Sequence, residues 1–289
     1  MRIANLAGRA TIVTDDGLID LATSSLGAFS ASIDKCLGQL DTIRAWLAST
    51  APAVTDATTP RELLGDARLG PVVNRPQQVF AVGLNYRHHA EEMQLVLPKA
   101  PMIFTKFVSS LCGPNDEVPI PSMTTDFEAE LVVVIAKSTR DVTVGDALTC
   151  VAGYCVGQDY SERTLQMQGA PAQFSLGKSF RNFTPIGPWL TTTEEIANPN
   201  DLGIRCAVNG TEYQNSNTAD MVFTVAEVVS YLSSVVELRT GDIIFTGSPH
   251  GVGQGRTPPV FLRPGDRIVT SIDHLGRIEN LAVPTDAVS

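Results

Sequence analysis

Apolar segments of strand length follow one another along most of this chain, with few helices between them, and this pattern restricts the fold more than any other feature. Strand-like runs cover Val79–Gly83, Phe127–Ile135, Cys150–Val156 and Asp242–Thr246. A doubly wound parallel sheet needs a helix between successive strands. The pattern therefore argues against a Rossmann sheet and favours an irregular β-sandwich or β-roll, an α+β fold that is mostly β.

Two further patterns refine this fold class. Thr224 and Glu227 have the spacing of a capping box, and the apolar residues that follow at steps of three and four predict one amphipathic helix up to about Val236. Near the end of the chain, two alternating segments at 267–272 and 276–281 flank a turn and predict a hairpin. A regular alternation of strands and helices is not predicted.

Residues 1–72 differ from the rest and predict a small N-terminal α/β accessory domain. They contain a hairpin signal around Asp15-Asp16-Gly17, a helical pattern from Ile33 to Leu47, and a segment at 49–60 rich in Ala, Thr, Pro and Asp that resembles a linker. The predicted catalytic domain is 73–289, because it carries most of the strand signals and nearly all the residues with potential chemistry.

Charge and cysteine usage exclude several classes of protein. The chain has 21 Lys and Arg against 31 Asp and Glu, a formal net charge of −10, so we expect no nucleic acid or membrane partner. No apolar run approaches the length of a membrane span, and the first residues do not resemble a secretory signal. Five cysteines without a C-x-x-C motif indicate reduced thiols and a cytoplasmic protein.

Acidic residues cluster at the start of a very apolar strand. In an extended chain Asp126, Glu128 and Glu130 project from one face, and Asp159 follows the next predicted strand. Glu128, Glu130 and Asp159 together would form a three-carboxylate cage suited to a hard divalent cation. The alternatives are a solvated strand end for the glutamates and a turn-capping role for Asp159.

A second candidate site lies just after Gly83. On a helix beginning near Asn85, His89 and Glu92 are an i, i+3 pair, and a carboxylate beside an imidazole can make it a general base for water. His88 with Glu91 or Glu92 has equally suitable spacing. A polar helix face without catalytic function is a further alternative.

Two lysines and a glycine-rich segment complete the candidates. Lys106 and Lys178 lie in apolar surroundings, where a lysine can stabilise developing negative charge on oxygen or can simply extend to the surface. Residues 246–255 are glycine-rich without being a phosphate-binding loop. Their backbone N–H groups and the Ser248 hydroxyl could bind a carboxylate, or the segment could be a plain turn.

Taken in order, these segments resemble the fumarylacetoacetate hydrolase superfamily, in particular its fumarylpyruvate and acylpyruvate hydrolases, over about residues 76–283. The resemblance is carried by an N-Y-x-x-H-x-x-E segment, an F-x-K segment, a D-x-E-x-E-L strand, a D-x-[ST]-x-R-x-x-Q segment, G-K-[SG]-F and a glycine loop. In this chain the matching residues are Asn85, Tyr86, His89, Glu92, Phe104, Lys106, Asp126, Glu128, Glu130, Leu131, Asp159, Ser161, Arg163, Gln166, Gly177–Phe180 and Gly247–Gly253.

The resemblance implies a mixed β-sandwich roll of the family's C-terminal type, usually paired into a homodimer, behind a variable N-terminal domain. It implies that Glu128, Glu130 and Asp159 bind Mg²⁺ or Mn²⁺. It further implies a catalytic group comprising a water-activating dyad and a lysine that polarises a substrate oxygen, and a set of substrate-binding residues. The catalytic residues that the resemblance implies are His89, Glu92 and Lys178, and the substrate-binding residues that it implies are Tyr86, Lys106, Arg163, Gln166 and Ser248.

The implied reaction is hydrolysis of a C–C bond in a 1,3-dicarbonyl acid of acylpyruvate or fumarylpyruvate type. Decarboxylation of 2-oxo diacids, and isomerisation or hydration of hydroxydienoate or oxopentenoate acids, are alternatives on the same metal site, and a non-catalytic binding protein is a third possibility.

Three residues depart from the family pattern, namely Arg181, Ser248 and His250. Residues 85–99 are expected to form a lid hinged near Gly83.

Overall fold

The structure is a computed structural model that describes residues 1–287. Most of its regular structure is β. The strands are β1 (Arg2–Leu6), β2 (Arg9–Val13), β3 (Leu18–Asp20), β4 (Leu69–Gly70), β5 (Val79–Gly83), β6 (Met102–Thr105), β7 (Leu111–Cys112), β8 (Val118–Ile120), β9 (Thr125–Asp126), β10 (Ala129–Ile135), β11 (Val151–Gln158), β12 (Ser161–Glu162), β13 (Thr184–Thr192), β14 (Gly203–Val208), β15 (Thr211–Asn217), β16 (Ile243–Phe245), β17 (Arg267–Ile272) and β18 (Gly276–Pro284).

The α-helices are short, and the two longest have 11 residues each. They are α1 (Leu21–Ser24), α2 (Ile33–Cys36), α3 (Leu40–Thr50), α4 (Pro60–Leu63), α5 (Arg87–Glu92), α6 (Arg163–Gln166), α7 (Phe174–Gly177) and α8 (Val225–Val235). The predicted capping box is present at the start of α8, where Thr224 and Glu227 bond each other's backbone N–H groups. Within residues 1–287, no helix is both long enough and apolar enough to cross a membrane.

Two mixed sheets form the framework. The large sheet has the order β3-β2-β1-β13-β11-β10-β16-β5-β6, with β4 and β7 pairing at its side, and the smaller one has the order β15-β14-β17-β18-β8. Most pairs are antiparallel, but three are parallel, namely β16 with β5, β13 with β7 and β18 with β8. The predicted hairpin at the end of the chain is confirmed as β17 and β18.

Strand β10 divides its side chains between two environments. Its odd-numbered residues, from Ala129 to Ile135, join the apolar cluster that also contains residues of β14, β17, β18 and α8. Val132 and Val134 face the other side and pack with residues of α2 and the N-terminal strands. Because side chains alternate along a strand, Glu130 lies on the face of Val132 and Val134, at the end of the strand where the apolar cluster stops.

The first 72 residues are continuous with the rest of the large sheet. Strand β1 pairs antiparallel with β13, with Arg2 opposite Thr191, and Ile3 belongs to the same apolar cluster as Val132. A domain boundary near residue 72 stays a prediction, since one sheet and one apolar cluster cross it. The hairpin and helices expected in this segment are present as β2, β3, α2 and α3.

Candidate metal centre

The register of β10 and β11 brings three carboxylates together. Glu130 lies opposite Gly157, and just beyond the strand ends the backbone N–H of Asp159 donates to the carbonyl oxygen of Glu128 at 2.9 Å. One carboxylate oxygen from each of Glu128, Glu130 and Asp159 lies within 4.8 Å of the others, and all three residues are buried. The structure therefore brings together the three carboxylates that the sequence indicated as a cage.

Asp126 is not one of the three clustered carboxylates, but its side chain reaches the same guanidinium nitrogen, Arg163 Nη2, as Glu128 does. It belongs to β9, which pairs with β12, and the chain leaves regular strand geometry between Asp126 and Ala129. Its carboxylate instead accepts hydrogen bonds from Arg163 at 2.7 and 2.9 Å and from the backbone N–H of Gly253 at 2.7 Å. Asp126 thus holds Arg163 and the glycine loop in place.

Three buried cations balance part of the negative charge. Lys178 Nζ lies 2.5 Å from Glu128 Oε2 and 2.7 Å from Asp159 Oδ2. Lys106 pairs with Asp159 and also donates to the carbonyl oxygen of Phe183 at 2.9 Å. Arg163 Nη2 lies 2.7 Å from Glu128 Oε1. Glu128 and Asp159 are therefore each held by two cations.

Glu130 is the exception among the three carboxylates. It accepts one hydrogen bond, from the backbone N–H of Gly247 at 2.7 Å, and has no ion pair among the described residues. Burial, reinforced by the charges of Asp159 and Glu128, raises the pKa of Glu130 well above its usual range. Burial also raises the pKa of Glu128, but Lys178 and Arg163 outweigh it and lower that pKa to about 2.

The donor set fits a hard divalent cation. Three buried carboxylates converge, one of them lacks a cation partner, and oxygen donors are the ligands that Mg²⁺ and Mn²⁺ prefer. Glu128, Glu130 and Asp159 are the residues that would hold such an ion. They supply three ligands, which would leave coordination positions for water or substrate oxygens.

The histidine pair that the sequence left ambiguous is resolved by the geometry. His89 Nδ1 lies 3.1 Å from Glu92 Oε2, and Glu92 also accepts hydrogen bonds from the backbone N–H of Gly251 at 3.0 and 3.1 Å. His88 turns away and pairs with Asp220, its Nδ1 being 2.8 Å from Oδ1. Burial raises the pKa of Glu92, but the bonds from His89 and Gly251 lower it overall, so Glu92 is an ionised partner for the imidazole.

The glycine-rich segment binds carboxylates, and these belong to the protein itself. Its backbone N–H groups donate to Glu130 from Gly247 and to Glu92 from Gly251. A Cβ at Gly255 would lie 2.5 Å from Cδ of Glu92, so glycine leaves the space that this side chain occupies. One loop thereby fixes a residue of the carboxylate cluster and a residue of the dyad relative to each other.

A cavity of about 420 Å³ opens onto this arrangement. Its polar wall contains most of the predicted site residues, namely His89, Glu128, Glu130, Asp159, Arg163, Gln166, Lys178 and Ser248. The remaining wall is mainly apolar and comes from β5, β6, α7, the residues after α5 and α6, and the glycine-rich segment. It includes Val82, Met93, Met102, Phe104, Met167, Phe174 and Val252. The carboxylate cluster and the imidazole of the dyad therefore face the same cavity.

Two predicted substrate-binding residues lie behind the wall. Tyr86 is fully buried, and its hydroxyl has no hydrogen-bond partner among residues 1–287. Lys106 is buried against Asp159 and Phe183. Neither residue lines the cavity, so we assign Lys106 a part in orienting Asp159. Ser248 does line it, and its Oγ accepts a hydrogen bond of 2.8 Å from Gln214, a residue that sequence reasoning missed because no motif marks it.

Comparison with known proteins agrees with this geometry. The family model described as "Fumarylacetoacetate (FAA) hydrolase C-terminal" matches residues 78–283. The chain belongs to this family. A relative from Burkholderia ambifaria, named only as a hydrolase, is 47% identical over 227 residues, which cover 78% of this chain and 80% of the relative. The fumarylacetoacetate hydrolase domain-containing protein 2 homolog of Dictyostelium discoideum is 45% identical over 216 residues, 71% of each chain.

Solved structures of the family share the fold along nearly the whole chain. The HpcE protein of Mycobacterium smegmatis superposes with a TM-score of 0.89 at 42% identity, covering 98% of this chain and 100% of the other. Maleylpyruvate hydrolase of Sphingobium sp. SYK-6, in complex with manganese(II) and pyruvate, gives a TM-score of 0.80 at 28% identity, with 98% and 99% covered. Family members of this fold are enzymes, with hydrolases and isomerases both represented.

Proposed function

We propose that this protein is a divalent-metal-dependent hydrolase that cleaves a C–C bond in a 1,3-dicarbonyl acid of acylpyruvate or fumarylpyruvate type. The observation that carries the proposal is the joint presence of the three-carboxylate cluster and the His89–Glu92 pair at one cavity. The cluster suits a metal that holds an oxo acid, and the pair suits the activation of water. Hydrolysis needs both, whereas decarboxylation needs no attacking water.

A bound Mg²⁺ or Mn²⁺ would supply Lewis-acid polarisation of substrate oxygens. The protein's own residues perform the remaining tasks. His89, oriented by Glu92, takes a proton from a water molecule in the cavity, and that water adds to the carbonyl carbon remote from the carboxylate. Lys178 is placed to donate to an oxygen that gains negative charge.

The atoms balance with water as the only co-substrate. The C–C bond next to the attacked carbonyl breaks, and its electron pair stays with the carbon of the departing 2-oxo acid. That carbon takes up the proton which His89 removed from water. The products are a carboxylic acid and pyruvate.

The comparisons support this proposal without choosing the reaction. The Sphingobium neighbour is a maleylpyruvate hydrolase with manganese(II) and pyruvate bound, whereas a neighbour from Mycobacterium abscessus is described as a 2-hydroxyhepta-2,4-diene-1,7-dioate isomerase. Isomerisation and decarboxylation need no attacking water. The water-activating pair in this chain therefore favours hydrolysis over both.

Product analysis in isotopically labelled water tests the reaction type. Purified protein with Mg²⁺ or Mn²⁺ is incubated in H₂¹⁸O with acylpyruvates, fumarylpyruvate, oxaloacetate and a hydroxydienoate. Hydrolysis places one ¹⁸O in the released carboxylic acid and yields pyruvate. Carbon dioxide from oxaloacetate, or an isomer of unchanged mass, as the main product with no cleavage of any diketo acid would contradict the proposal. The homodimer implied by the resemblance stays a prediction that light scattering can check.

A further inference from the structure

The cavity has two chemically different parts, and their junction lies at Phe104. The ammonium nitrogen of Lys178, which bonds Glu128 and Asp159, lies 5.4 Å from the centre of the Phe104 ring. Phe104 in turn contacts Phe174 edge to face, with the ring centres 5.6 Å apart. Met93, Met102 and Met167 contribute further apolar wall. A ligand held at the carboxylate cluster thus meets an aromatic pair beside it.

The cationic groups of the cavity wall are already engaged. Among the described residues, the wall contains the cations Arg163 and Lys178, and both form ion pairs with the acidic residues of the polar part. His89 is bonded to Glu92. Lys99, which follows the wall residue Pro98, is exposed and does not line the cavity. The apolar part of the wall therefore offers no cation to the second carboxylate of a bound diacid.

The neutral polar residues of the wall, Gln166, Ser248 and Gln254, carry no charge that could balance a carboxylate. Two of them lie beside the carboxylate cluster: Gln166 accepts a hydrogen bond from Arg163 Nη1 at 2.9 Å, and Ser248 follows Gly247, whose N–H donates to Glu130. Moving a carboxylate from water to an apolar wall without a charged partner costs free energy, because the carboxylate loses its hydration and gains no compensating contact. An alkyl or aryl group in the same place gains from burial against Phe104 and Phe174.

We propose that this cavity selects oxo acids with a single carboxylate and an apolar tail, in preference to diacids. This inference rests on the proposed function, because it places the oxo-acid head at the carboxylate cluster. The substrates it indicates are acylpyruvates with an aliphatic or aromatic acyl group. Fumarylpyruvate, oxaloacetate and dienedioates are disfavoured, since each carries a second carboxylate.

Binding of non-reacting 2-oxo acids tests the preference without turnover. The pair 2-oxohexanoate and 2-oxoadipate has the same carbon chain, and the second ends in a carboxylate. On manganese-loaded protein, titration calorimetry is expected to show 2-oxohexanoate binding tighter by about tenfold or more, with pyruvate, which has no tail, weaker than 2-oxohexanoate. Equal or tighter binding of 2-oxoadipate would overturn the inference.

A charge introduced on the apolar wall sharpens the test. Met102→Arg, at a half-exposed position of β6, is expected to reduce or invert the preference for 2-oxohexanoate. Phe107→Arg is the matched control, because Phe107 is similarly exposed but is not on the wall, and it should leave the preference unchanged. Met93→Arg serves if Met102→Arg fails to fold. An unchanged preference in a folded wall variant would count against the apolar site.

The outcomes separate this inference from the proposed function. If 2-oxohexanoate is preferred but no diketo acid is cleaved, the tail preference stands and the hydrolase proposal fails. If acylpyruvates and fumarylpyruvate are both cleaved and 2-oxoadipate binds as well as 2-oxohexanoate, the hydrolase proposal stands and the tail preference fails.

Discussion

The ammonium nitrogen of Lys178 lies 2.5 Å from Glu128 Oε2, so a cation of the protein contacts an oxygen of the proposed metal cluster. The same nitrogen bonds Asp159 at 2.7 Å. The charges of these two carboxylates raise the pKa of Lys178 against the effect of burial, which would lower it. The lysine therefore stays charged, and a divalent ion at the cluster would have to share its ligands with that charge.

Replacing Lys178 by Met is expected to strengthen metal binding and abolish turnover. At an effective dielectric constant of about 20, two unit charges about 4 Å apart repel by roughly 4 kcal/mol, and Mn²⁺ carries two charges, so even a fraction of this repulsion gives about a tenfold gain in affinity. Turnover falls because the donor to the substrate oxygen is lost. Calorimetric titration with Mn²⁺ measures the affinity. Lys178→Arg keeps the charge and should keep near-native affinity for Mn²⁺. Weaker Mn²⁺ binding in Lys178→Met would contradict the idea that Lys178 and the metal ion compete for the same carboxylates.

Glu130 makes the stability of the metal-free protein depend on pH. Its folded-state pKa is raised, so its contribution to stability is complete below the ordinary range of a glutamate and is lost as pH rises through the raised pKa. A divalent ion bound at the cluster replaces the proton and should stabilise the protein more as pH increases. Melting temperatures measured against pH with EDTA and with Mn²⁺ should diverge as pH rises.

Two variants identify Glu130 as the source of that divergence. Glu130→Gln has no proton to lose, so it should flatten the pH dependence in EDTA and remove most of the stabilisation by Mn²⁺. Glu162→Gln is the control, since Glu162 is a buried carboxylate that caps α6 outside the cluster. It should retain the divergence. A divergence that survives in Glu130→Gln would show that another group is responsible.

The dyad predicts a clear contrast between neighbouring histidines. His89→Gln removes the proposed general base and should lower the turnover rate by about 10²–10⁴-fold with little change in Mn²⁺ affinity. His88→Gln is the matched control, because His88 bonds Asp220 and does not line the cavity, and its turnover should remain close to that of the native protein. Steady-state kinetics measure both turnover rates on the diketo acid that the native protein cleaves fastest. Equal losses in both variants would rule out a special role for His89.

Much of the carboxylate site could be predicted because strand geometry is local. The two-residue period relates Glu128 to Glu130, and Asp159 follows the strand that pairs beside them. Asp126 also lies near Glu128, since Arg163 Nη2 contacts both carboxylates, although the chain leaves regular strand geometry between Asp126 and Ala129. No periodicity in the sequence signals such a break.

Long-range partners could not be predicted from spacing. The choice between His88 and His89 depends on Asp220, which is 132 residues away from His88 along the chain. The pairing of β1 with β13 similarly joins Arg2 to Thr191 and makes residues 1–72 continuous with the large sheet. Phe104 and Phe174 have the same chemistry as residues of an ordinary core, so the sequence does not show that they line a cavity.

The proposed lid is expected to move in only part of the segment 85–99. The first half is tied down, since Asn85 bonds Phe223 and Thr246, and Arg87 donates to the carbonyl oxygens of Asp220 and Met221. Helix α5 ends at Glu92, and Gln94 takes a left-handed conformation with φ of +56°. Beyond it, Leu95, Val96 and Leu97 are exposed and lie in no regular element.

Hydrogen exchange with and without 2-oxohexanoate on the manganese-loaded protein measures this difference. Residues 93–101 should exchange quickly without ligand and gain protection with it, because the wall residues Met93, Leu95 and Val96 would close on an apolar tail. The helix at 87–92 should be protected in both states, since Glu92 stays bonded to Gly251. Glu92→Gln weakens that bond and should extend the fast exchange into the helix. Equal exchange of 93–101 in both states would contradict a lid of any length.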